Sequence, residues 1–181
     1  ARSLNNLADL YSSQGRYAEA EPLHLQALDL KQRLLGAEHP DVARSLNNLA
    51  DLYSSQGRYA EAEPLHLQAL DLRQRFLGFE HPDVATSLNN LAGLYHSQER
   101  YTKAETFYIQ SLEMRKRLLG EKHFNVAVSF NNLAKLYFDQ ERYEEAKPRY
   151  IEALEIAEKS LGIEHPTTNK IRANYERLKE R

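Results

Sequence analysis

Cysteine is absent from the 181-residue chain, which excludes disulfides, thiolate metal sites, iron–sulfur clusters and cysteine nucleophiles together. Tryptophan is missing too, methionine occurs once, and glycine and proline number only 7 and 6. Neither sign of charge dominates, because 24 Lys and Arg stand against 26 Asp and Glu for a formal net charge of −2. Affinity for a phosphate backbone comes largely from clustered cations that displace counterions, so this balance argues against nucleic acid as a partner. Apolar runs stop at three or four residues, far short of the ~20 that a membrane helix needs. No apolar stretch of the signal-peptide kind follows the N-terminus. A soluble, cytoplasmic chain or an excerpt of one is expected, with no membrane partner and no cofactor.

The few glycines and prolines fall at regular places because the chain repeats itself. Residues 1–42 return at 43–84 with three changes, Lys31 to Arg73, Leu34 to Phe76 and Ala37 to Phe79. Such near-identity fits recent duplication and an idealised sequence equally well. Copies starting at Ala85 and Ala127 diverge further but keep an SxNNLAxLYxxQxRY skeleton, a run of helix formers and LGxxH. A partial fifth copy runs from Thr167 to Arg181. The organisation expected is one array of four repeats, 1–42, 43–84, 85–126 and 127–168, with a final helix over 167–181.

Within a unit the apolar period is helical. Leu4, Leu7, Ala8 and Tyr11 are spaced i, i+3, i+4 and i+7 and form one stripe. Gln14-Gly15-Arg16 interrupts it, with Gly15 able to supply the left-handed conformation that ends a helix. Tyr17, Ala20, His24, Ala27 and Leu28 resume the period in a longer helix that stops at Gly36, and Pro40 then suits a first helical turn. Nothing alternates with period two, so no sheet is expected. Small Ala8, Ala20 and Ala27 opposite bulky Tyr11 and Tyr17 suit two closely packed antiparallel helices. One hairpin cannot bury its own apolar surface, so the units must stack into an all-α solenoid.

These residues resemble the tetratricopeptide repeat, with Leu4, Leu7, Ala8, Tyr11, Ala20, His24 and Ala27 at its large–leucine–small–tyrosine and alanine–aromatic–alanine places. The unit departs from the 34-residue form by eight residues added to the second helix and by lacking that helix's terminal proline. With LNNLA, QGRY, AEPL and LGxxHP, it is similar to the 42-residue repeats of kinesin light chains and related bacterial arrays. The resemblance implies a right-handed α-solenoid of four antiparallel helix pairs plus a capping helix. It further implies a non-enzymatic scaffold whose concave groove, walled by the first helices, binds a protein or peptide.

On that implication the groove residues are those opposite the apolar stripe. They are Arg2, Asn5, Asn6 and Asp9; Arg44, Asn47, Asn48, Asp51 and Ser54; Asn89, Asn90 and His96; and Asn131, Asn132 and Lys135. Asn is a mediocre helix former, yet pairs of it hold a fixed register in helix interiors. Two roles are open to them: bonding the backbone of an extended guest, or a ladder between neighbouring helices with no ligand. Asn6, Asn48, Asn90 and Asn132 suit the first, and Asn5 with its equivalents suits the second. Units spaced ~10 Å apart give a groove about 40 Å long, room for roughly 12 extended residues.

Other candidates read as structural. His39, His81, His123 and His165 recur every 42 residues, but stacked helices ~8–10 Å apart cannot bring them to one metal ~2 Å from each ligand. Local backbone bonding is expected of them instead. His24 and His66 stand where later units carry Tyr108 and Tyr150 and are expected to pack with a satisfied polar tip. Lys31, Arg73 and Arg115 fall on the second helix's apolar stripe, where stems pack and heads reach water or a carboxylate, or enter the groove to meet an acidic partner. Pro22, Pro64 and Pro148 lie early in that helix, and Glu99 and Glu141 replace turn glycines, leaving those turns more strained or more helical. No arrangement of serine, histidine and carboxylate, and no glycine-rich phosphate loop, supports catalysis. The front face of unit one is expected to be apolar and uncovered, open to further repeats or to end-to-end self-association. A structural spacer without a groove ligand is the alternative function.

Overall fold

A computed structural model describes residues 2–181, with side chains from Ser3 onward. Among the described residues the chain folds into nine helices and no strand. The first helices of the units are α1 (Arg2–Ser13), α3 (Pro40–Ser55), α5 (Pro82–Ser97) and α7 (Phe124–Asp139). Their second helices are α2 (Tyr17–Leu35), α4 (Tyr59–Leu77), α6 (Tyr101–Leu119) and α8 (Tyr143–Leu161), and α9 (Pro166–Lys179) closes the array. Each helix packs on its sequence neighbours, and α3 also touches α1 and α5 while α7 touches α5 and α9. Among the described residues the backbones of successive second helices do not approach each other this closely. The first helices therefore line the inner, shorter side of an α-solenoid.

Local chemistry explains each boundary. The turn after α1 is a Schellman closure: the Gly15 N–H donates to the Ser12 carbonyl at 3.0 Å and the Arg16 N–H to the Tyr11 carbonyl at 2.9 Å. This needs a positive φ, 72° at Gly15 and 73° at Gly57. Glu99 and Glu141 adopt the same conformation at φ 58° and 61°. Those turns are thus strained rather than more helical, since a Cβ there is penalised by about 1–2 kcal/mol. At the other corner a histidine caps each following helix. His39, His81, His123 and His165 accept through Nδ1 from the N–H two residues on, at 3.1 Å in every case. This cap satisfies a backbone donor that the first turn leaves unpaired. Pro22, Pro64 and Pro148 sit inside their helices without breaking them.

The core follows the alanines. Ala8, Ala20, Ala27, Ala50, Ala62 and Ala69 are fully buried, so the paired helices approach closely. One apolar position lies outside the predicted stripe: Leu52, Leu94 and Leu136 are 2, 2 and 0 % exposed, although Leu10 is 51 % exposed. This row faces the preceding unit, and Leu10 meets none among the described residues.

A second contact between units repeats at the QxRY corner. Glu21 of α2 accepts from Arg58 Nη1 at 2.8 Å and Tyr53 Oη at 3.1 Å, both of the next unit. Glu63 holds Arg100 and Tyr95 in the same way, and Glu105 holds Arg142 and Tyr137. Each guanidinium also stacks on its own unit's tyrosine, 4.0–4.4 Å from the ring centre. The recurrence of Glu21, Glu63 and Glu105 ahead of the QxRY motif is the sequence signal for this clamp. Lys147 takes that position in the fourth unit.

Candidate functional site

The inner face carries rows of residues set by the helical period. Positions four, three and three residues apart project from one side of a helix, so Arg44, Asn48, Asp51 and Ser54 rise along α3 toward its C-terminus. Arg44 and Asp51 are exposed, and Asn48 and Ser54 half-buried. A shallow concavity of about 320 Å³ lies between α3 and α5, walled by Asp51, Ser54, Asn90, Gly93 and Tyr108 among others. A second, formed by α1, α2 and α3, is walled by Asp9, Ser12, His24, Asn48 and Asp51.

The paired asparagines divide between two environments. Asn5, Asn47 and Asn131 are only 4, 4 and 7 % exposed: of the two roles open to them they take the one inside the stack, which their register suited better, and the placing of them among the partner-binding residues is corrected. Asn5 donates to Ser45 Oγ at 3.3 Å, and its Oδ1 faces His24 Nδ1 at 3.4 Å. Asn47 Oδ1 faces His66 Nδ1 at 2.7 Å. In the rear units the partner changes. Asn132 Nδ2 donates back to Asn89 Oδ1 at 3.0 Å, and Asn174 Nδ2 of α9 to Asn131 Oδ1 at 2.9 Å. The second asparagines remain nearer the surface: Asn6 is exposed, and Asn48, Asn90 and Asn132 half-buried. Asn48 reaches Asp9 at 3.5 Å, whereas Asn90 bonds no side chain among the described residues.

His24 and His66, each 1 % exposed, form the floor beneath the front half. Their Nε2 atoms lie 3.5 Å from Asp9 and 3.4 Å from Asp51. Burial pushes the His24 imidazole below its ordinary range, against the pull of Asp9 and Asp51. Burial likewise raises the Asp9 carboxyl, opposed by His24 and reinforced by Asp51. The imidazole of His24 therefore favours its uncharged form beneath the exposed Asp9.

The remaining predicted residues lie toward the rear. His96 Nε2 contacts Asp139 Oδ2 at 2.9 Å, and Lys135 Nζ donates to the same oxygen at 3.0 Å. Burial, with Lys135 adding to it, holds the His96 imidazole low. The side chain of Arg2 lies outside the described residues.

Three basic residues that the sequence left between two roles have a clear one. Lys31 Nζ donates to the Asp41 carbonyl at 3.0 Å; Arg73 reaches the Asp83 carbonyl and Ser87 Oγ, both at 2.8 Å. Arg115 repeats this on Asn125 and Ser129 at 3.2 and 2.7 Å. All three are buried and hold backbone at the start of the next helix rather than water or a carboxylate. Burial lowers their affinity for the proton, that of Arg115 to about 10. The change from Lys31 to Arg73 has a visible effect: Arg73 occupies Ser87 Oγ, and Asn47 Nδ2 is left buried without a partner.

No group of three or more His, Cys, Asp or Glu able to hold a metal occurs among the described residues. None of their helices is long and apolar enough to cross a membrane. Solved structures with this geometry are repeat arrays. BtubC (BKLC) of P. vanneervenii is 30% identical, with 99% of this chain and 71% of that one covered at a TM-score of 0.81. A Podosopora anserina protein with nearly identical TPR-like repeats, classed with kinesin light chains, is 27% identical over 99% of this chain and 85% of its own, at a TM-score of 0.76. A point variant of that protein matches at 0.77, with 27% identity, 99% of this chain and 84% of that chain. The tetratricopeptide repeat family matches residues 1–75, 83–159 and 126–177, and the chain belongs to the tetratricopeptide repeat proteins, a family of repeat scaffolds for protein interaction.

Proposed function

We propose that the concave face of this array receives an extended polypeptide segment and that the chain acts by holding it, without catalysis. One observation carries the reading: the Asn90 carboxamide, at the centre of the inner face, has no side-chain partner among the described residues. An amide so placed offers both a donor and an acceptor to a guest backbone. Asn6 is exposed in the same row, and Ser54 stands half-buried beside Asn90, its hydroxyl without a hydrogen bond among the described residues. Binding of 12-residue peptides selected from a random display library tests this. Asn90→Ala should weaken it by about tenfold while the melting temperature stays unchanged. Equal binding by the variant, or no selectable peptide, refutes the reading.

A second reading, end-on association, is favoured by the uneven exposure of equivalent leucines. Leu7 and Leu10 are 40 and 51 % exposed, against 2 % for both Leu49 and Leu52. Another copy, or further repeats, would cover α1 as unit one covers α3. Sedimentation of the chain with and without Leu10→Glu tests it: a concentration-dependent dimer abolished by the substitution is expected, and a strict monomer rejects self-association.

A further inference from the structure

One row of the inner face, beside the exposed Arg44 of α3, carries a charge gradient along the array. The residues at one repeat position, spaced 42 apart, are Asp9, Asp51, Gly93, Lys135 and Arg177, so the row reads acid, acid, neutral, base, base. The two carboxylates are well exposed, at 56 and 60 % of their side chains. At the other end Lys135 shares Asp139 with His96, but Arg177 has no carboxylate partner among the described residues. Its guanidinium lies 5.6 Å from the ring centre of Phe138, which places it over the rear of the same face. Neighbouring positions in the row are ~10 Å apart, about one Debye length at physiological salt, so the two ends act as separate fields.

The midpoint differs in kind. Gly93 leaves the face without a side chain where its neighbours carry charge, and a Cβ there would meet only Tyr108 Oη, at 3.6 Å. Tyr108 is 5 % exposed, and its hydroxyl finds no hydrogen-bond partner among the described residues although it borders the open concavity beside Asn90. The hydroxyl is therefore open to solvent, and a guest acceptor can take the place of water there. A peptide carbonyl would do so, and the missing side chain at Gly93 lets a backbone come that close.

We infer that the groove selects an extended segment with its charges segregated, basic residues over α1 and α3 and acidic residues over α7 and α9, its uncharged middle lying against Gly93 and Tyr108. Two repeat steps separate Asp51 from Lys135, ~20 Å, or about six residues of extended chain. The inference rests on the groove being the binding face. It adds that the order of charges along the guest, not its net charge, decides recognition, because like charges juxtaposed along the row are penalised.

Two fluorescent 12-residue probes of identical composition test it on the full chain. One carries three lysines, six Gly/Ser residues and three glutamates in that order; the other alternates the charges. The segregated probe should bind about tenfold more tightly, and the preference should shrink with added salt. Asp51→Lys with Lys135→Glu should abolish or invert the preference. Gly93→Trp, which adds bulk without charge at a position of ordinary backbone geometry, should block both probes, with an unchanged helical spectrum as the control for folding. Probes that bind equally, yet are both displaced by Gly93→Trp, overturn the charge-order inference and leave groove binding standing. Absence of binding by either probe, when library peptides still bind in a Gly93-dependent way, overturns it as well. If nothing binds in a Gly93-dependent way, groove and gradient fall together.

Discussion

The two front units and the two rear units solve one packing problem with different chemistry. In front, a buried histidine lies between an asparagine inside its own unit and an aspartate of the groove, His24 with Asn5 and Asp9, His66 with Asn47 and Asp51. In the rear, Tyr108 and Tyr150 replace the histidines, and Gly93 and Lys135 replace the aspartates. The tyrosines leave the first asparagine free, and the following unit's second asparagine bonds it instead. These substitutions together turn a bond within a unit into one between units. The lesson is that these repeat positions work as sets, so a consensus drawn at each position separately would mix incompatible solutions.

The strongest way to break the contrast is to remove the ring on which each solution rests. His66→Ala should cost about 2–4 kcal/mol, because it leaves a cavity and strands Asn47. Tyr150→Phe should change stability by less than about 0.5 kcal/mol, since its hydroxyl has no partner among the described residues and its ring stays buried. Urea melts of both variants measure the difference, and equal losses would contradict the division.

The turns differ between halves as well. Glu99→Gly should stabilise the chain by about 1 kcal/mol, and Gly57→Ala should destabilise it by a similar amount, by release or introduction of strain at positive φ. Chemical denaturation reads both signs. Next in size is the ladder: Asn132→Ala removes a half-buried bond for a loss near 1 kcal/mol, whereas Asn90→Ala, losing none, should fall within about 0.5 kcal/mol of the parent.

The smallest effect is pH dependence. His24 and His96 have folded-state affinities for the proton below that of an unfolded histidine, 6.5. Their contribution is therefore complete above pH 6.5 and is lost as pH falls through the depressed folded values, where the unfolded chain binds more protons. Asp9, raised in the fold, acts with the opposite sign at still lower pH. Thermal melts should show a modest fall in stability between about pH 7 and 5, shallower in His24→Gln than in the parent.

The fold was legible because it rests on local signals. Period, glycine corners and capping histidines each sit within a few residues of what they control, and the array repeats them. The groove was legible only as a face. Helical register placed Asn5 and Asn6 side by side on the polar side, but whether a side chain one position over is open or enclosed depends on how the next unit is rotated, which a single unit's period does not encode. The assignment of Asn5, Asn47 and Asn131 to a ladder within the stack agrees with their burial; counting them among the groove residues does not. The Glu21–Arg58–Tyr53 clamp was hidden in the same way, since its members lie 32 and 37 residues apart and no local pattern couples them. Leu52 was missed because its contact surface belongs to the preceding repeat.

Because the backbones of the first helices approach their counterparts in adjoining units more closely than those of the second helices do, the array has a tight side and a looser one. Any bending that spread the second helices about the asparagine seam would have to stretch the Glu21–Arg58, Glu63–Arg100 and Glu105–Arg142 pairs, so these corners set how far the array can change its curvature.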